Sequence, residues 1–139
     1  YGSEWGIRGV RNSSGDYELR PAIYPFAENL ADWAVPHIDG GSLENAIRDF
    51  ARIKKENAPL QYGNYKQLVV KNMQFAFMRC ADGEDIIVAF NCDNVSAQMR
   101  IEGIPCAAWK DLISGEEFSS EDMKHLEIKE YGFRILRKV

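Results

Sequence analysis

Few residues in this chain have the type and spacing that chemistry needs. The cysteines, Cys80, Cys92 and Cys106, are odd in number and lack a CxxC pair. They signal neither a disulfide framework nor a zinc site, and read as plain buried thiols. The two histidines are as isolated: His37 follows Pro36, and His125 precedes an apolar run with no acid or cysteine at ligand spacing. No DxDxDG run of the calcium-loop type occurs. Asp16 and Glu18 flank Tyr17 in a glycine-bounded loop, the ordinary place for surface acids. Glu4, beside Trp5, and Arg20, beside Pro21, remain as polar side chains in a stretch rich in Gly and Pro.

Composition narrows the class. The chain has 139 residues, 45% of them hydrophobic and 27% charged, as expected of a globular domain with a core. Its formal charge of −4 comes from 17 Lys and Arg against 21 Asp and Glu, and the basic residues are scattered. A nucleic-acid partner is not indicated. No apolar run approaches the roughly 18 residues of a spanning helix, so no membrane partner is indicated either. The opening YGSEWGIRGV does not resemble a secretory leader. It reads as a start inside a larger fold, which leaves the cellular compartment illegible.

The elements that must position these residues follow from periodicity. From Tyr1 to about Gly41 no pattern is sustained, and Gly2, Gly6, Gly9, Gly15, Pro21, Pro25 and Pro36 mark it as loop on a larger scaffold. GGSLENAIRDFARIKKENAPL is different. Leu43, Ala46, Ile47, Phe50 and Ala51 share a helical face with Ile53 beside it, and Glu44, Arg48, Asp49, Arg52 and Lys55 take the other. Ser42 suits the N-cap, Lys54 and Lys55 suit the C-terminal end of the dipole, and Pro59 closes the helix. Phe50 is expected to anchor the buried stripe.

Beyond Pro59 the period becomes that of strands: KQLVVKN, QFAFMRC, DIIVAFN, SAQMRIEG, CAAWKDLIS and HLEIKEYGFRILRK. Turn signals separate them at Asp82-Gly83, Asn91 to Asn94 and Ser114-Gly115. Phe75, Phe77 and Arg79 oppose Ala76, Met78 and Cys80, while Val95, Ala97, Met99 and Ile101 share one side. Short antiparallel strands at this spacing imply a mainly β fold, a sandwich.

In this order the segments resemble the α-amylase family of glycoside hydrolases (glycoside hydrolase family 13). YGSEWG is similar to the segment leaving the eighth strand of that family's (β/α)8 barrel, and DYELRP to the loop after it. SLENAIRDFARIKKENAPLQYGNYKQLV resembles the last barrel helix running into the C-terminal sandwich, domain C. NMQFAFMRCADGEDIIVAFNCDN, WKDLISGEEF and LEIKEYGFRIL resemble that sandwich's strands.

The resemblance implies residues 1–58 as the end of the barrel and 59–139 as the antiparallel sandwich. It implies an enzyme acting on an α-glucan or maltooligosaccharide, with its paired carboxylates on barrel strands that precede Tyr1. No catalytic residue and no metal ligand is then expected in this chain, and calcium is possible only in the intact enzyme. Glu4, Trp5 and Arg20 become the candidates for support of, or contact with, bound sugar. Tyr62, Tyr65, Trp109 and Tyr131 are exposed-aromatic candidates for a sugar platform, which goes with the alternative reading, a carbohydrate-binding sandwich appended to an enzyme; strand aromatics more often fill cores or the barrel interface. Finally, Tyr1 to about Ile38 would lack its barrel partners, so self-association as a dimer through Trp5, Ile7, Ile23, Tyr24 and Phe26 is expected.

Overall fold

The computed structural model describes residues 9–13, 15, 16, 19 and 40–139. The chain divides into two compact units, Tyr1–Arg52 and Ile53–Val139. In the first, Asn12 and Gly15 form a β-bridge and Arg11 pairs with Asp16 at 3.1 Å.

Helix α1 spans Gly40–Glu56. Its exposed side carries Arg48–Glu44 and Arg52–Asp49 ion pairs at 2.6 and 3.4 Å, the spacings that stabilise a helix locally. It starts two residues before the expected cap, so Ser42 lies inside its first turn. Pro59 does not simply close it. Asn57 ends α1 by donating from Nδ2 to the Ile53 carbonyl at 2.6 Å, and Pro59 opens a second short helix, α2, Ala58–Tyr62. A proline is suited to a first helical turn because its missing N–H would have no partner there.

The expected anchor is also displaced. Ile47 and Phe50 are 43% and 40% exposed, whereas Ile53, expected only to flank the stripe, is 3% exposed. Periodicity fixes which residues share a face, but not how deeply each of them is buried.

Eight strands follow: β1 Asn64–Val70, β2 Gln74–Ala81, β3 Glu84–Asn91, β4 Ala97–Met99, β5 Trp109–Asp111, β6 Glu117–Phe118, β7 Leu126–Ile128 and β8 Phe133–Lys138. They build a six-stranded sheet in the order β1-β2-β3-β8-β5-β6 and a two-stranded sheet, β4-β7, with antiparallel pairing throughout. The β2–β3 hairpin turns on Asp82-Gly83, with φ of 55° and 80°. A two-residue loop needs both positions left-handed to match the strand twist, and Asp-Gly supplies them. At Gly63, between α2 and β1, an added Cβ would lie 2.6 Å from the Pro59 carbonyl oxygen and 2.9 Å from that of Cys80, so only glycine fits.

The two sheets share one core. Ala76, Met78, Ile87, Ala89, Trp109 and Leu136 from the large sheet meet Met99, Leu126 and Ile128 from the small one, with Ile101 and Met123 between. A bulge between Gln67 and Val69 turns Leu68 and Val69 toward this core together. The opposite face of the large sheet carries a second cluster, in which Ile53 and Leu60 pack with Ile86, Ile135, Val88 and Leu112. The sandwich therefore has its main core on one face and helical cover on part of the other.

Two expected strands are shorter or split. SAQMRIEG yields only Ala97–Met99, with Val95 exposed rather than sharing the buried side. HLEIKEYGFRILRK splits into β7 and β8 around Tyr131 and Gly132, where Tyr131 has φ of 49°.

Candidate functional site

Glu4, Trp5 and Arg20 lie outside the described residues, as do His37 and Glu18. So do Trp5, Ile7, Ile23, Tyr24 and Phe26, the residues expected in a self-contact, and no comparison supports that contact. The polar chemistry that is described lies in the sandwich, in three clusters.

The most connected of these is Asn91, at the end of β3 and 1% exposed. Its Nδ2 donates to the carbonyls of Val95 at 2.7 Å and Lys129 at 3.1 Å, with Ile128 at 3.4 Å. Its Oδ1 accepts from Gln74 Nε2 at 3.0 Å and from the Asp93 N–H at 3.1 Å. One amide thus joins β2, β3, the loop toward β4 and the β7–β8 connection. Only a side chain that both donates and accepts can do this. The sequence signal was the asparagine closing DIIVAFN, noticed as part of a turn.

In the second cluster Asp85 stands directly across from Cys80 in the β2–β3 ladder and is held by Lys138 Nζ from β8. Burial pushes the Asp85 carboxyl up, but the bonds from Lys138 and Cys80 and the lysine's charge outweigh it, leaving it below the usual aspartate range. Burial, then the bond to Asp85 and its charge, push the Cys80 thiol up. Cys80 is half-buried, while Cys92 and Cys106 are exposed free thiols, which corrects the expectation of three buried ones. Cys92 directly follows β3 and Cys106 lies in the loop between β4 and β5, so neither belongs to a strand that feeds the core. Because the thiolate is the nucleophile, Cys92 and Cys106 should alkylate at least about tenfold faster than Cys80 near pH 8. Peptide mass mapping after timed iodoacetamide treatment checks this, and equal rates would contradict the arrangement.

The third cluster lies beside an open groove of about 520 Å³ between β6 and β7. Arg134 bonds Asp111 at 3.0 Å and Glu116 at 2.7 Å, and its guanidinium covers the Phe118 ring at 4.7 Å from the centroid. Around it Glu117 faces Lys110 at 3.6 Å and Glu121 faces Lys124 at 2.6 Å. The groove's aromatic face is thus capped by an arginine, and these acids are satisfied by neighbouring cations. His125 ends a 3₁₀ turn, Asp122–His125, at the rim of the groove.

Of the candidate aromatics, Trp109 is not a surface ring: it is 0% exposed, at the centre of the main core. Tyr62 is exposed but tied, its hydroxyl donating to Asp82 Oδ2 at 2.6 Å. That bond and the carboxylate's charge hold its phenol above the usual tyrosine range. Tyr65 is exposed and leans on Phe77, with centroids 5.6 Å apart. Tyr131 is the most exposed of the four. Among the described residues no trio of His, Cys, Asp or Glu is placed to hold a metal ion, so calcium finds no ligand set there. Nor is any helix among them long and apolar enough to cross a membrane.

A two-sheet antiparallel sandwich fed by an amphipathic helix is the architecture of an amylase-type C-terminal domain. The sequence model of the family described as maltogenic amylase, C-terminal domain, matches residues 65–135, just over half of the chain, and the chain belongs to that family. The resemblance to the α-amylase family read from the sequence is borne out, and with it the mainly β fold class.

Among solved structures, the chain is similar to an α-amylase from Anoxybacillus: TM-score 0.74, 16% identity, over 100% of this chain and 28% of that one. It is similar to an α-amylase from Geobacillus thermoleovorans complexed with acarbose: TM-score 0.75, 14% identity, over 99% and 28%. AmyP in complex with maltose matches with TM-score 0.63 and 14% identity, over 78% of this chain and 23% of that one. The chain thus spans roughly a quarter of the length of these proteins. No curated protein matches the sequence.

Proposed function

We propose that this chain is the C-terminal portion of an α-glucan-acting glycoside hydrolase of the α-amylase or neopullulanase type. Residues 1–58 are the end of its (β/α)8 barrel, the loop after strand eight and the last helix, and residues 59–139 are its sandwich domain. The observation that carries this is membership of the maltogenic amylase C-terminal domain family across β1 to β8. Two of the similar structures hold acarbose or maltose, which supports an α-glucan or maltooligosaccharide as the substrate of the whole enzyme.

The sandwich's role in this reading is structural. Retaining glycosidases need two carboxyl groups about 5–5.5 Å apart across the scissile bond, one a nucleophile and one an acid/base. Asp111, Glu116, Glu117, Glu121 and Asp85 are each committed to a cation of the sandwich itself. In this reading the catalytic acids belong to barrel strands upstream of Tyr1, with Glu4, Trp5 and Arg20 bordering the substrate. The alternative, an appended carbohydrate-binding module, draws less support, because Trp109 is buried and Phe118 is capped by Arg134.

The expected result is that the 139-residue chain releases no reducing sugar from starch, pullulan or cyclodextrins above buffer, whereas the full-length protein does. Turnover by the chain that survives purification and disappears in Glu4→Gln would overturn the reading.

A further inference from the structure

The turn of the β2–β3 hairpin holds two groups that can react with each other. Of the aspartates in the sequence, only Asp39 and Asp82 precede glycine. Asp39 lies outside the described residues, whereas Asp82 and Gly83 form the two-residue loop between β2 and β3 and are both exposed. A glycine N–H is the least hindered backbone nitrogen a chain offers, because no Cβ shields it. Little else shields this one. An added Cβ at Gly83 would meet nothing within 4 Å, and the Gly83 N–H, which belongs to neither strand, donates to no backbone carbonyl among the described residues. The electrophile beside it is Cγ of Asp82.

One group stands against the reaction. Tyr62, at the end of α2, donates its hydroxyl to Asp82 Oδ2 at 2.6 Å, from 20 positions away in the sequence. For Cγ to reach bonding distance of the Gly83 nitrogen the carboxylate must turn, and this bond fixes its direction.

We propose that Asp82 is a site of isoaspartate formation and that Tyr62 restrains it. The Gly83 nitrogen attacks Asp82 Cγ, so that a C–N bond forms and a C–O bond breaks. The departing oxygen takes the amide proton and one proton from solvent and leaves as water, closing a succinimide ring. Water then adds back at one of the ring's carbonyls and returns the solvent proton. Addition at Cγ restores aspartate; addition at the backbone carbonyl breaks the original peptide bond and leaves the chain running through Cβ and Cγ. No co-reactant other than water enters.

The product has one more carbon in its backbone. A two-residue loop whose φ angles of 55° and 80° match the twist of its strands has no room for that carbon, so the Ala81–Glu84 pair that begins the β2–β3 ladder is disturbed first. The carboxylate left beside the chain is the former main-chain carboxyl. Tyr62 therefore loses its acceptor, and the restraint does not re-form.

Incubating the full-length protein and its Tyr62→Phe variant in neutral buffer, below the unfolding temperature, tests the proposal. Isoaspartate is counted with a protein-isoaspartate methyltransferase and a labelled methyl donor, and located by electron-transfer fragmentation of the peptides around residues 39 and 82. Tyr62 is 65% exposed and the substitution deletes only its hydroxyl, so the fold is retained. Isoaspartate should accumulate at residue 82 in both proteins, and at least about threefold faster in the variant, the effect of losing one exposed hydrogen bond. The rate at residue 39 should be the same in both. Absence of isoaspartate at residue 82 from both proteins would overturn the site, and equal rates there would overturn the restraint. An equal rise at residues 39 and 82 would also overturn the restraint, because it would assign the effect to unfolding.

Discussion

Replacing Asn91 with aspartate is expected to cripple the fold at neutral pH and to spare much of it in mild acid. The side chain's Nδ2 points at the carbonyls of Val95, Lys129 and Ile128, which can only accept hydrogen bonds. A carboxylate there sets negative charge against those dipoles in a buried site, and the loss should be about 3–5 kcal/mol, as when a buried charge is left uncompensated. A protonated acid can still donate one bond, so the folded protein favours the neutral form and the variant's carboxyl rises above the unfolded value of about 3.9. The sign follows: at pH values below the unfolded value the variant keeps what stability the neutral acid allows. It loses that stability progressively as pH rises through the higher folded value. Asn91→Ala removes the same bonds without a charge and should cost about 2–4 kcal/mol with little added dependence on pH. Urea unfolding of both variants from pH 4 to 8 separates these behaviours. An Asn91→Asp protein that tracks the parent across that range would show that the amide is not the junction described.

The second large effect is expected at Trp109. It is fully buried, and its Nε1 has no hydrogen-bond partner among the described residues. Trp109→Ala removes the largest side chain at the centre of the core and should cost about 3–5 kcal/mol, a large share of the roughly 5–15 kcal/mol that stabilises a typical domain. Trp109→Phe leaves a smaller void and also deletes the orphaned donor, whose burial is worth about 1–3 kcal/mol against the fold. Its net cost should stay below about 2 kcal/mol. Denaturant titration with an unchanged slope is the measurement. If Phe proved as damaging as Ala, the indole N–H would have to be satisfied in the folded protein.

These two residues also show where sequence reading works and where it stops. The β2–β3 hairpin was legible because strict alternation, Asp82-Gly83 and the β-branched run in DIIVAFN all point the same way, and the observed register pairs Ala81 with Glu84. The helix was legible from its period, and the order of segments carried the family. Trp109 could be read either as a platform ring or as core filling, because β5 is three residues long and β6 two, too short for alternation to declare an inward side. Cys92 and Cys106 were misread because burial of a thiol is a statistical habit of cysteine, and a residue outside the strands is not bound by it. Ile53, read as flanking the stripe that Phe50 anchors, is the more buried of the two because it packs with Ile86 and Ile135, residues more than thirty positions away that helical periodicity does not encode. Asn91 could be seen as a turn residue, but its partners come from segments up to 38 positions away, which no local pattern encodes. Glu4, Trp5 and Arg20 rest on resemblance to a segment outside the described residues.

The central claim is that the chemistry of this protein lies upstream of the chain and that the sandwich serves it structurally. The most direct measurement traps the glycosyl-enzyme intermediate of the full-length protein with a fluorinated α-maltosyl fluoride and maps the labelled peptide. A retaining hydrolase forms that ester on its nucleophilic carboxylate. The account predicts a single labelled acid in a peptide that precedes Tyr1, with every acid from Glu4 to Glu130 unmodified. A label on any carboxylate within Tyr1–Val139 would contradict it.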